Sequence, residues 1–283
     1  MVREEILNIL DKKLIYAKLK EIKGKNELIS KIDLAIDKKI DSTNEKAKRF
    51  AEKLNTASIN KLSAEQLFVF AADKQLKAKG RRGKSWFSNT GESLSVSFLF
   101  KLPDNSPEIP QVTAAAALAV KESFKNFSLK TDIKWPNDIL VNEKKICGIL
   151  SELFFTQNKS AFVIIGCGIN LNNSSFNEEI KDLATSYYIE KSQKINKNVF
   201  LSNLIFEIES YINKYFSGRR KEVISKWKKA LNIIGKRVKL SQNNTIYNVI
   251  IKDILDSGEI LAELEDGSQK KFQSFNTSFK YSN

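Results

Sequence analysis

Residues 161–171, Ala-Phe-Val-Ile-Ile-Gly-Cys-Gly-Ile-Asn-Leu, form the most apolar run of the chain and carry no charge. The run is too short to cross a bilayer, and its β-branched content fits a strand buried at the centre of a sheet. Other segments supply neighbours for it. Residues 32–36 alternate apolar and polar side chains and predict a strand leading to Ile40, and residues 67–71 and 94–100 predict two more. Residues 111–127 contain four consecutive alanines and read as a helix able to pack closely on a sheet. Further helices are expected over 198–216 and 219–231, separated at Gly218, and an amphipathic one over 2–22, with Ile6, Leu7, Leu10, Leu14 and Leu19 as its stripe, ending near Gly24. Past Gly235 the texture changes to short strands at 237–240, 246–254 and 259–264, a small all-β unit of about 50 residues. The expected division is therefore 1–30, a helical extension; 31–232, the main domain; and 233–283, the β unit.

Three polar stretches interrupt these elements. In Asp41-Ser42-Thr43-Asn44, Ser42 and Glu45 have capping-box spacing, which starts a helix over 45–54. Hydroxyls and amides at a helix start also suit a polar ligand. Residues 75–86, Gln-Leu-Lys-Ala-Lys-Gly-Arg-Arg-Gly-Lys-Ser-Trp, combine five cations, two glycines and an indole. Gly80 and Gly83 admit backbone angles closed to other residues, and Arg81 and Arg82 add planar forks for phosphate or carboxylate. Taken alone, the stretch reads first as a solvated basic loop.

The third stretch is Lys134-Trp-Pro-Asn-Asp138, followed by two apolar runs about a turn at 142–144, a hairpin in which Lys145 opens the second strand. Gly148, three residues on, would let a ligand lie against backbone. On spacing alone Lys145 is an exposed turn lysine, and Asn137 and Asp138 are turn residues after Pro136. Gly166 and Gly168, with Asn170 after them, offer a similar close approach, but the third glycine of a dinucleotide fingerprint is missing.

Composition removes several chemistries. With no histidine, a Ser-His-Asp triad, a Cys-His dyad and His-ligated zinc are excluded. Cys147 and Cys167 each sit in an apolar run and read as buried reduced thiols. The net charge of +14 comes from 47 basic and 33 acidic residues, and the lysine excess is dispersed along the chain. Dispersed charge supports general attraction to anions better than a nucleic-acid footprint. No apolar run is long enough for a membrane helix, and the first residues lack a signal core, so a cytoplasmic protein is expected.

Together, Asp41-Ser-Thr-Asn44, the stretch from Gln75 through Gly80-Arg-Arg-Gly83 to Trp86, Lys134-Trp-Pro-Asn-Asp138 with Lys145-Ile-Cys-Gly-Ile-Leu-Ser-Glu152, and Ile165-Gly-Cys-Gly-Ile-Asn170 resemble the biotin protein ligase family in order and spacing. The resemblance covers about residues 31–233, and the C-terminal β unit fits the family's SH3-like barrel. It implies an α+β fold, a mixed β-sheet with packed helices related to class II aminoacyl-tRNA synthetases. It further implies a carbon–nitrogen bond-forming ligase that makes biotinyl-5′-AMP from biotin and MgATP. The acceptor would be a lysine of the biotin carboxyl carrier protein of acetyl-CoA carboxylase.

By the same resemblance Ser42, Thr43, Asn44, Gln75, Lys79, Gly80, Arg81, Lys145 and Gly148 hold biotin. Arg81, Arg82, Gly83, Trp86, Asn137, Lys145 and Asn170 hold the nucleotide, with Trp86 stacking on adenine. Lys145, Arg81 and Asp138 are the catalytic set, Asp138 being also the expected Mg2+ ligand. Where the family usually has Gly-Arg-Gly, this chain has Ala78-Lys79-Gly80, which predicts weaker retention of the adenylate. Family members that bind operator DNA carry a winged helix of about 60 residues, more than precedes residue 31 here, so no specific DNA binding is expected. A homodimer stays open. The alternatives are a lipoate or octanoate ligase or transferase of the same fold, a biotin-responsive DNA-binding regulator, and an inactive binding module.

Overall fold

The computed structural model describes residues 9–23, 31–63, 66–83, 86, 91–102 and 109–281. Seven strands form one sheet: β1 (Ile32–Asp37), β2 (Leu67–Ala72), β3 (Ser93–Lys101), β4 (Asp132–Lys134), β5 (Asp138–Val141), β6 (Lys144–Phe155) and β7 (Ala161–Asn170). Their order is β1-β2-β3-β7-β6-β5-β4, parallel between β1 and β2 and antiparallel elsewhere. The most apolar run is thus the middle strand, β7, as its sequence requires.

Cross-strand register decides what each face of the sheet does. Leu94, Val96, Phe98 and Phe100 of β3 share a face with Val163, Ile165, Cys167 and Ile169 of β7. Over it lie α4 (Ile109–Asn126) and α6 (Lys197–Lys214), and Ala114 to Ala117 are fully buried. The opposite face is divided. At one end Phe68, Phe70, Leu99, Phe162 and Ile164 pack under Ala47 and Ala51 of α2 (Thr43–Lys53). At the other end, Gly168 stands between Ser95 and Gly148, and Ser97 faces Gly166. Small side chains there leave a shallow floor where the rest of the sheet carries phenylalanines.

The N-terminal helix α1 spans Lys12–Lys23; the expected start before residue 9 and the end at Gly24 lie outside the described residues. Its buried stripe is Ile15 and Leu19, with Leu14 only half-buried, because the helix begins after Leu10 and its phase differs from the one read in sequence. The Tyr16 hydroxyl donates to Ile32 O at 2.9 Å and accepts from Leu34 N–H at 3.2 Å. It therefore covers the open edge of β1.

Several short elements carry no periodic signal and were not expected: α3 (Thr56–Lys61), β4 and α5 (Tyr187–Lys191). The 139–152 hairpin turns on only two residues, Asn142 and Glu143, both with positive φ, so Lys144 already belongs to β6. After α6, the break about Gly218, at φ +87, leads to α7 (Arg220–Leu231).

Beyond it, β8 (Arg237–Gln242), β9 (Thr245–Ile254), β10 (Ile260–Glu263), β11 (Gln269–Phe272) and β12 (Thr277–Tyr281) form an antiparallel sheet of order β11-β10-β9-β8-β12. The sequence predicts the first three strands but not β11 or β12. Its interior joins the main core in one contiguous apolar cluster. Among the described residues no helix is long and apolar enough to cross a membrane. Cys147 and Cys167 are free and buried, and burial pushes the Cys147 thiol up.

Candidate active site

A cleft of about 520 Å³ opens over the small-residue floor. Of the residues singled out in sequence, Ser42, Thr43, Asn44, Gln75, Lys79, Gly80, Arg81, Arg82, Trp86, Asn137, Asp138, Lys145 and Gly148 line it. Gly83 and Asn170 do not. Segments separated by up to about a hundred residues are therefore brought to one place by the sheet.

One end of the cleft is a buried polar network. Ser42 caps α2, its hydroxyl accepting from Glu45 N–H at 3.5 Å; the reciprocal half of the capping box is missing, since Ser42 N–H donates to Asp41 instead. Capping fixes Thr43, whose N–H and hydroxyl both donate to Gln75 Oε1, at 2.8 and 3.2 Å. The Ser97 hydroxyl lies 2.7 Å from that of Thr43 and 2.5 Å from Asn44 Oδ1. Asn44 Nδ2 donates to Glu152 at 2.7 Å, and Lys48 pairs with the other Glu152 oxygen at 2.8 Å. Burial alone would lower the Lys48 pKa, but its two carboxylate partners raise it overall. A Cβ on Gly166 would stand 2.3 Å from Asn44 Oδ1, so the glycine is what lets this amide lie against the strand. Ser97 and Glu152 were not assigned from sequence.

The middle of the cleft depends on a β-bulge. Asp138 faces Gly148 and Ile139 faces Cys147, but Leu140 faces Lys145, leaving Ile146 as the extra residue. Strict alternation from Gly148 would aim Lys145 at the apolar core. The bulge returns it to the cleft side while Ile146 stays buried. Lys145 Nζ sits 2.6 Å from Asp138 Oδ1 and 5.4 Å from the Trp86 ring centroid. Trp86 lies flat on the floor: a Cβ on Gly168 would be 2.4 Å from its indole, and one on Gly148 3.0 Å. Its Nε1 is buried without a hydrogen-bond partner, so the cleft holds an unused donor.

At the far end stand the arginines. Arg81 Nη1 donates to Asn137 Oδ1 at 2.8 Å, and Asn137 Nδ2 donates to Ile149 O at 2.7 Å. Asn137 is therefore occupied in aiming Arg81. Burial lowers the Arg81 pKa, though a guanidinium stays charged. Its other nitrogen bonds the Ser274 carbonyl, and Arg82 Nε donates to Phe275 O at 3.2 Å. Thr277, Ser278 and Phe279 complete this wall. The C-terminal sheet is thus part of the site, which no motif in its sequence announces.

The left-handed residues here are Arg82, at φ +57, and Gly83, whereas Gly80 does not have a positive φ. Lys79 pairs with Glu45 at 3.0 Å, which holds the Glu45 carboxyl below its ordinary range. Asn170 sits behind the cleft wall, its amide donating to Thr185 O at 3.0 Å and to Lys145 O at 3.5 Å, so it braces the Lys145 backbone.

No cluster of three or more His, Cys, Asp or Glu suited to a metal occurs among the described residues. Asp138 Oδ1 is buried and meets Lys145 as an ion pair rather than an aligned hydrogen bond. A single carboxylate fits magnesium that arrives on a triphosphate and keeps its waters; it does not fit an all-protein cage.

Residues 38–170 match the family model of the Biotin/lipoate A/B protein ligase family, and residues 233–280 match that of the Biotin protein ligase C terminal domain. Fold and cleft thus define the class of biotin and lipoate ligases. The bifunctional ligase/repressor BirA of Bacillus spizizenii is 32% identical over 206 residues, 71% of this chain and 63% of that protein. The biotin–[acetyl-CoA-carboxylase] ligase of Mycobacterium tuberculosis is 26% identical, over 69% of this chain and 73% of that one. Among solved structures, the biotin protein ligase from Aquifex aeolicus in complex with biotin and ATP superposes with a TM-score of 0.74 at 28% identity, covering 88% of this chain and 99% of that one. The chain belongs to the biotin protein ligase family. It spans 61–63% of the length of the BirA relatives it matches.

Proposed function

We propose that this protein joins biotin to a carrier-protein lysine through biotinyl-5′-AMP. The observation that carries this reading is convergence: Arg81, Lys145 and Trp86 meet over a glycine floor, beside the buried Thr43–Gln75 pair. Thr43, Ser97 and Gln75 offer donors and acceptors suited to an uncharged head group, and the Trp86 indole lying on the floor offers an aromatic face to a ring. In the first step a biotin carboxylate oxygen attacks the α-phosphorus of ATP, and the bond to pyrophosphate breaks. Two anions must approach, and Lys145 and Arg81 neutralise them; removing one such contact costs about 3–4 kcal/mol of barrier, a factor of about 100 to 1,000.

In the second step an acceptor amine attacks the acyl carbon, the anhydride C–O bond breaks and AMP leaves. Asp138, 2.6 Å from Lys145, is the candidate to take the amine's proton. Magnesium would enter with ATP against Asp138. The acceptor reading is the biotin carboxyl carrier protein of acetyl-CoA carboxylase, in the cytoplasm. We divide the chain at about residue 31 and residue 233, the latter where the C-terminal family match begins.

The test is incubation with ATP, magnesium and either biotin or lipoate, followed by mass spectrometry. Biotinyl-AMP is expected with wild type, reduced about 100-fold or more in Lys145→Ala and Arg81→Ala. Lipoyl-AMP alone would overturn the biotin assignment.

A further inference from the structure

One costly charge placement lies outside the cleft. Lys197 is fully buried, 0% exposed, and occupies the first position of α6, where the helix dipole disfavours a cation. Capping does not need it, because the Asn196 side chain already accepts from Asn198 and Val199 N–H. Burial lowers the Lys197 pKa, as it must for an ammonium removed from water.

What Lys197 touches gives the buried charge a role. Its ammonium donates to Asp73 Oδ1 at 3.4 Å and to Gly91 O at 3.2 Å. Asp73 immediately follows β2, and Gly91 stands two residues before β3, so the two partners are the opposite ends of the connection that carries Gln75, Arg81 and Trp86. Between those ends direct backbone pairing is weak, with Gly91 N–H reaching Asp73 O at 3.5 Å. From Asp73 onward the chain pairs with the strand leading to the Ser-Thr-Asn turn: Leu76 N–H donates to Ile40 O and Lys77 N–H to Asp41 O, at 2.9 and 2.8 Å. Trp86 N–H then closes on Ala78 O at 3.1 Å.

We infer that Lys197 is a positioning residue, a buried staple whose two bonds fix both ends of the Asp73–Gly91 connection and thereby set where Arg81 and Trp86 stand over the cleft. It touches no substrate and acts only through that connection. The catalytic consequence rests on the ligase reading above, whereas the stapling does not.

Lys197→Met removes the ammonium but keeps the volume, and Asp73→Asn loosens one end without altering α6. In the ligand-free full chain, amide exchange at Lys77 and Trp86 is expected to quicken about tenfold in both variants, while Leu204 and Ile208 inside α6 keep their protection. With substrates, the KM for ATP is expected to rise about tenfold with kcat held within about threefold, a split that general destabilisation does not produce. If Lys197→Met does not fold, Asp73→Asn carries the test alone. Unchanged exchange at Lys77 and Trp86 in a folded variant overturns the staple, as does a fall in kcat with KM unmoved. Quickened exchange in a chain whose wild type forms no biotinyl-AMP leaves the staple standing and removes the ligase reading.

Discussion

At Gly168 the cleft tolerates nothing larger than hydrogen, since an added Cβ would come within 2.4 Å of the Trp86 indole. β7 is paired on both sides and cannot yield, so the indole must. Gly168→Ala should keep the fold, shift Trp86 fluorescence and raise the KM for ATP about tenfold or more, with titration of nucleotide as the measurement. A second residue-scale prediction concerns acid. The Glu45 pKa lies below its ordinary 4.5, first because Lys79 bonds it. A depressed carboxylate stabilises fully above its unfolded value and loses that stabilisation as pH falls through the folded one. The difference in urea midpoint between wild type and Lys79→Met should therefore be present at about pH 6 and shrink as the pH falls below the carboxyl's ordinary range; a difference that grows in acid would refute the pairing. Single residues were legible in sequence where a local signal marked them, as charge and glycine mark Arg81 and Lys145. Ser97 and Glu152 carried none, because their partner Asn44 lies 53 and 108 residues away.

Among the elements, strands betrayed themselves by apolar content, and β7 by being apolar throughout. Elements of three to six residues, such as β4 and α3, are too short to show a period and are held by their neighbours. The bulge at Ile146 is illegible for a different reason: it is a relation between β5 and β6, and only their pairing reveals that Lys145 faces the cleft. The phase of α1 was misread because its start could not be fixed from sequence; Leu10, counted in its stripe, precedes the helix. What α1 does for the sheet is clearer in structure, where Tyr16 occupies two of the backbone groups at the edge of β1. Tyr16→Phe leaves those groups half-buried and short of partners. It should cost about 1–3 kcal/mol in urea unfolding, with the proposed biotinyl-AMP formation at saturating substrate unchanged. A variant as stable as wild type would show that water or a neighbouring segment satisfies the edge equally well.

For the molecule as a whole, the question is what the second sheet does for the cleft. A change from helical to short-strand texture made the C-terminal unit legible, but not its place in the cleft, since residues 274–279 contain no motif. The two sheets are joined at two places. On one side the buried indole of Trp135 donates to Gly258 O at 2.9 Å and Gln111 Nε2 to Asp256 O at 2.6 Å. On the other, Arg81 and Arg82 bond the carbonyls of Ser274 and Phe275. The first contact is made by Trp135, which itself lines the cleft, so a change at the 255–258 turn should be felt there and, through the docked sheet, at the arginines. Gly258 is suited to test this: its φ is +85, and an added Cβ would meet Pro110 Cβ at 2.9 Å. Gly258→Ala adds both backbone strain of about 1 kcal/mol and a steric push between the sheets. Because the cores are continuous, one cooperative transition is expected, at lowered temperature, together with a severalfold rise in the KM for ATP. Lowered stability without any change in KM would mean that the arginines hold their places without the C-terminal sheet's docking at Trp135.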